Sequence, residues 1–186
     1  MQKNLSINYD INEIRSGNES EFRKLVEESM DYLYNMVLRI MANEQDAGDI
    51  VQDTFIKVWE KRKSIKAEES LKPYLRKIAV NKCYDQLRKR KIRYVEDNID
   101  NDSVINHITS DEQADQKLEK EEALILLKFL VSRLSPRQRI VFTMVELQEL
   151  SHDEVSEITG LSKTSIKSNL HHARKKMEGK LKDFLN

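Results

Sequence analysis

The side chains with intrinsic reactivity are few in this sequence and poorly spaced for catalysis. Cys83 is the single cysteine, which excludes an internal disulfide and a multi-cysteine zinc site and suits a reducing compartment, where a packed thiol is expected. His171 and His172 are adjacent, so on a helix they point to different faces and make a poor metal pair. No nucleophile elbow, phosphate loop or His-Glu-x-x-His string occurs, so the expectation is a non-enzyme with no metal and no cofactor. What the sequence offers instead is charged and hydrogen-bonding side chains in long segregated runs, a pattern suited to gripping a partner rather than transforming a substrate.

Net charge is zero, with 32 Lys and Arg against 32 Asp and Glu, yet the charges are sorted along the chain. Leu71 to Arg93 carries Lys72, Arg76, Lys77, Lys82, Arg88, Lys89, Arg90, Lys91 and Arg93 against one acid, Asp85. Near the C-terminus Lys163, Lys167, Arg174, Lys175, Lys176, Lys180 and Lys182 face only Glu178 and Asp183. Between these blocks Glu96, Asp97, Asp100, Asp102, Asp111, Glu112 and Asp115 precede the next cation, Lys117, with no steady helical period. That stretch reads as a flexible acidic linker. Two basic blocks joined by a tether of about 25 residues can touch two separated stretches of one DNA. Charge alone equally allows two solvated helix faces.

The elements that must position these runs are helical. Only 4 Gly and 2 Pro in 186 residues leave little material for hairpins or tight turns, and an all-α chain of two small domains follows. A tail, 1–17, precedes a helical domain over 18–93; the linker takes 94–117 and a second helical domain 118–186. In the first domain Phe22, Leu25, Val26, Leu33, Val37, Ile40 and Met41 recur at helical steps. After the initiating residues Asn43 to Asp46, the residues Ala47, Ile50, Val51, Phe55, Val58 and Trp59 repeat the pattern. Leu71, Tyr74, Leu75, Ile78 and Ala79 mark a third helix with Ser70 as its cap and Pro73 in its first turn. The polar start Met1 to Asp10 lacks a signal-peptide core, and no apolar run approaches the roughly 18 residues of a membrane span, so a cytoplasmic protein without membrane insertion is expected.

The second domain opens with a helix over Leu118 to Leu134. Ser135 followed by Pro136 starts another, expected to run to Leu147. Ser151-His152-Asp153-Glu154 is a capping box, Gly160 can close the short helix in a left-handed conformation, and Ser162 caps the next. Along that last helix Ile166, Leu170, Ala173 and Met177 form an inward stripe. The outer face carries Lys163, Thr164, Ser165, Lys167, Ser168, His171, His172 and Arg174, hydrogen-bonding groups for base edges mixed with cations for phosphates. This is a helix-turn-helix pattern, in which Lys163 to Lys167 enter the major groove deepest and Arg174 to Lys176 grip flanking phosphates. An ordinary helical hairpin shares the caps and the turn, but not the charged outer face.

Taken in order, these segments resemble the extracytoplasmic-function sigma factors, the compact two-domain class of bacterial RNA polymerase sigma subunits. Asp46-Ala47-Gly48-Asp49-Ile50-Val51-Gln52-Asp53-Thr54-Phe55 is similar to the segment these factors dock on core RNA polymerase. Leu71 to Asn81, with Asp85, Leu87 and Arg88, is similar to the helix that engages the minus-ten promoter element. Leu134 to Arg139 and Gly160 to Arg174 match the domain that reads the minus-thirty-five element. The resemblance implies polymerase contacts at Asp46, Asp49, Gln52, Asp53 and Phe55, and minus-ten contacts at Lys72, Arg76, Asn81, Lys82 and Arg88. It also implies a flipped-base pocket in the loop Lys61 to Ser70, and control by an anti-sigma factor.

Physical chemistry agrees with these assignments in part. Asp46, Asp49 and Asp53 fall at three- and four-residue steps, so their carboxylates are expected along one helix face, ready for a basic partner. Only Tyr74 and Tyr84 are aromatic within Leu71 to Arg93, so stacking platforms are few and near-consensus promoters are expected. Gly48 inside the docking helix, and Asn169 and His172 in the reading helix, depart from the family pattern; the last two put the promoter sequence in doubt rather than the class. A stand-alone transcription regulator would share the helix-turn-helix, but not an acidic stripe followed by a basic helix at the N-terminal side.

Overall fold

The computed structural model describes residues 9–65, 71–97, 126 and 129–185. Every regular element among them is helical, and none is a strand. The chain forms two compact units, taken in turn.

The first element lies within the expected tail. Helix α1, Ile11–Ser16, is nucleated by Asp10, whose carboxylate accepts from the backbone N–H of Asn12 at 2.7 Å, and it ends at Gly17 with φ +100°. A single turn and a half is too short to announce itself by period. Burial holds it: Ile14 is fully buried and Tyr9 nearly so. The backbone N–H of Asp10 also donates to Glu21 Oε2 at 2.9 Å, tying α1 to the next helix.

Helix α2, Glu19–Met41, and helix α3, Glu44–Glu60, form an antiparallel pair capped by Asn18 and Asn43. The turn between them is only Ala42 and Asn43, and it requires Ala42 to adopt a left-handed φ of +53°. Leu25, Leu33, Val37 and Ile40 of α2 meet Ala47, Val51 and Val58 of α3 in a dry core. At the far end the rings of Phe22 and Trp59 lie 4.9 Å apart. The Arg62 guanidinium lies over the Trp59 ring at 4.3 Å, from a single 3-10 turn, Arg62–Ser64.

Helix α4, Leu71–Asp97, carries the first basic block. Its inward stripe, Leu71, Leu75, Ala79, Cys83 and Leu87, recurs at steps of four and is buried throughout. Cys83 is the packed thiol expected. Tyr74, expected in the core beside Leu75, is half-buried. The capping role expected of Ser70 lies outside the described residues, as do the acidic linker from residue 98 onward and most of the helix expected over Leu118 to Leu134.

In the second unit residues 129–132 are helical, with Leu130, Val131 and Leu134 buried. Helix α5, Pro136–Phe142, starts in a full capping box: Ser135 Oγ accepts from the Gln138 N–H and Gln138 Oε1 accepts from the Ser135 N–H at 3.1 Å. The single helix expected to Leu147 instead widens to a π-helix over Thr143–Leu147. The Leu150 N–H closes it on the Met144 carbonyl, and Glu149 reverses the chain at φ +56°. Helix α6, His152–Thr159, begins at the Ser151/Glu154 capping box and ends at Gly160 with φ +72°. Helix α7, Lys163–Leu185, follows after the Ser162 hydroxyl accepts from the Ser165 N–H at 3.2 Å. Ile166, Leu170 and Ala173 are buried as expected, and Met177 is half-buried.

Candidate nucleic-acid interface

On α3 the acidic stripe is narrower than its spacing implies. Asp49, Gln52 and Asp53 are exposed, and Ile56, 49% exposed, continues their line at steps of three and four. Asp46, expected on this face, is buried instead, and so is Phe55, which the family resemblance implied as a polymerase contact. Asp46 shares the side of Ile50 and Thr54, four and eight residues on, while Phe55 sits with Val51 and Val58; both sides pack inward because the core-facing surface of α3 is wide. The exposed face is therefore Asp49, Gln52, Asp53 and Ile56, two carboxylates and an amide flanking an aliphatic side chain. Ile56 was legible only as a member of that three-and-four spacing.

The four cations and one amide expected on α4 do not share one face. Asn81 and Arg88, two turns apart, are exposed opposite the buried stripe, beside exposed Lys77 and Asp85. Asp85 makes no ion pair with Arg88. Lys72 and Arg76 are half-buried, and the Arg76 guanidinium lies over the Tyr32 ring at 5.6 Å. Burial pushes the Tyr32 hydroxyl pKa up, against the neighbouring Ser29 side chain and the Arg76 charge, which pull it down. Lys82 Nζ reaches Asp53 Oδ2 of α3 at 2.7 Å. Of the loop Lys61 to Ser70, residues beyond Ile65 lie outside the described set.

The outer face of α7 carries the expected groups almost intact. Lys163, Thr164, Lys167, Ser168, His171, His172 and Arg174 are exposed. Ser165 is half-buried, and its carbonyl accepts from the Asn169 amide at 2.8 Å, with its hydroxyl 3.4 Å from the same nitrogen. The rings of His171 and His172 meet edge to face at 5.6 Å. Two cations at the margins are held within the unit: Lys163 pairs with Asp153 of α6, and Arg174 with Glu146, its Nε 3.1 Å from Oε1. Lys167 makes no ion pair among the described residues. Thr164, Lys167, Ser168 and His171, at steps of three, one and three, thus form the unencumbered centre of the face.

A short capped helix, a glycine turn and a second helix with a basic outer face make a DNA-reading unit. Residues 25–92 match the sigma-70 region 2 family and residues 124–177 the sigma-70 region 4 family. The chain belongs to the extracytoplasmic-function sigma factors. The ECF RNA polymerase sigma factor SigW of Bacillus subtilis is 25% identical over 94% of this chain and 96% of its own. The sigma factor RpoE of Bartonella quintana, solved with the anti-sigma factor NepR, matches 88% of this sigma factor and 98% of its own chain at 26% identity and a TM-score of 0.60. CnrH, solved with the cytosolic domain of CnrY, shares the fold at a TM-score of 0.63 and 21% identity, over 93% and 95% of the two chains. As a sigma factor the chain binds core RNA polymerase and directs promoter-specific initiation of transcription. No helix among the described residues is long and apolar enough to cross a membrane.

Proposed function

We propose that three helices divide this work. The α3 face of Asp49, Gln52, Asp53 and Ile56 docks a basic, partly apolar helix of core polymerase, the carboxylates supplying attraction and Ile56 the dry contact. Helix α4 holds the minus-ten DNA through Asn81 and Arg88, with Lys72 and Lys82 at its edges. Helix α7 reads the minus-thirty-five element through Thr164, Lys167, Ser168 and His171, with Lys163, His172 and Arg174 on flanking phosphates. Ser165 holds the backbone of α7 through Asn169, and Asp46, Phe55 and Arg76 support their helices rather than touch a partner.

The carrying observation is that α7 buries one apolar stripe and turns its cations outward, and α4 buries another opposite exposed Lys77, Asn81 and Arg88, while α3 turns out acids. No step of bond chemistry falls to the chain, and it works in the cytoplasm with the polymerase. An anti-sigma factor is a further partner of this reading, because the Bartonella relative was solved bound to one and because exposed charged faces of both signs offer a surface to cover. In vitro transcription with purified core enzyme tests the function: factor-dependent transcripts from promoters with two separated elements are expected, and the absence of any such transcript from genomic fragments would overturn it.

A further inference from the structure

Asp53 and Lys82 lie 29 residues apart in sequence and on different helices, yet their side chains meet at 2.7 Å. Each belongs to a different surface of the reading above, Asp53 to the polymerase-docking face of α3 and Lys82 to the DNA helix α4. The Asp53 side chain is 61% exposed and that of Lys82 30%, so the pair stands at the seam of the two faces, open to competitors. A carboxylate that neutralises an ammonium lowers its attraction for phosphate, and the ammonium likewise lowers the pull of the carboxylate on a cationic partner.

We propose that this ion pair couples the two surfaces, Asp53 restraining Lys82 in the free chain and surrendering it when a basic polymerase helix engages α3. The proposal rests on the assignment of α3 to polymerase and α4 to DNA. Such coupling is reciprocal: a phosphate that takes Lys82 leaves Asp53 freer for polymerase by the same factor. An exposed ion pair of this kind is worth a change of about two- to fivefold in affinity. Asp49 provides the control, since it is exposed on the same face one turn earlier and makes no ion pair among the described residues.

The experiment measures binding of the full chain to a short labelled single-stranded DNA of random sequence, and separately to purified core polymerase, at low salt. Asp53→Asn is expected to tighten DNA binding about two- to fivefold, with Asp49→Asn giving a smaller gain for the same loss of charge. In a Lys82→Ala background the gain from Asp53→Asn should vanish, and Lys82→Ala alone should tighten core binding while Asp53→Asn weakens it. Equal gains from the two aspartate variants, or a gain that survives Lys82→Ala, would reduce the effect to bulk charge and overturn the coupling. A wild-type chain that binds both partners with no gain from Asp53→Asn overturns the coupling alone. One that binds neither partner overturns the functional assignment with it.

Discussion

Phe55 and Ile56 are neighbours with opposite fates. Phe55 is 6% exposed and Ile56 49%, because adjacent helical residues point about 100° apart, from a repeat of 3.6 residues per turn. Phe55→Ala should therefore destabilise the first unit by about 3–5 kcal/mol, as a cavity in a packed core does. Ile56→Ala should leave stability within about 0.5 kcal/mol and weaken core-polymerase binding by more than about 1 kcal/mol if it anchors the dry contact. Urea unfolding and a polymerase pull-down titration separate the two; the reverse pattern would return Phe55 to the interface.

The cations of α7 differ in the same way. Lys167 makes no ion pair among the described residues, whereas Lys163 is already held by Asp153. Lys167→Ala is expected to flatten the dependence of log affinity on log salt by about 0.9, one phosphate contact in duplex DNA. Lys163→Ala should change the slope less, since part of its charge is spent on Asp153 before DNA arrives. Equal slopes for the two variants would show that the Asp153 pair is lost on binding.

At the scale of the element, helix boundaries here are governed by a few capping side chains and by two misplaced small residues. Ser135, Ser151, Asn18 and Asn43 each accept a backbone N–H at a helix start. Gly48 stands within α3, and a methyl group there would meet no atom within 4 Å. Ala42 holds the left-handed position between α2 and α3, where glycine is favoured. Opposite substitutions should each help: Gly48→Ala by about 1 kcal/mol through helix propensity, and Ala42→Gly by up to about 1 kcal/mol through relief of the left-handed strain. Thermal unfolding of the two variants checks this; a lower midpoint for Gly48→Ala would mean that the helix needs its backbone freedom.

Across the whole molecule, stability against pH is bounded by groups that anchor α1. Burial, reinforced by the charges of Tyr32 and Glu28, raises the Tyr9 hydroxyl pKa from 10.0 to about 12. The folded chain thus retains a proton that the unfolded chain releases, and stability should fall as pH rises from about 10 to about 12. Glu21 sets the opposite flank. The Lys24 ammonium, then the Asp10 N–H, hold its carboxyl below the usual range, so its contribution is complete above the unfolded pKa and lost as pH falls through the lower folded value. Urea midpoints followed into alkaline pH should decline for the wild type and decline less for Tyr9→Phe; identical curves would remove Tyr9 as the alkaline trigger.

Sequence by itself determined the helical class, the basic blocks, the capping boxes at Ser151 and the turn at Gly160, and the outer face of α7, because each of these is a local property of spacing, propensity and side-chain reach. It also carried the sigma-factor resemblance, through motifs in a fixed order. Only the tertiary structure decided which members of a stripe stay outside. Asp46 and Phe55 go inward because α3 buries a broad side against its neighbours, and α1 exists because Ile14 and Tyr9 find a core to enter. The ion pairs of Lys82 with Asp53 and of Arg174 with Glu146 join residues 29 and 28 positions apart, and no local pattern specifies such meetings. They depend on where packing sets one helix against another, which is a property of the folded chain and not of any stretch of it.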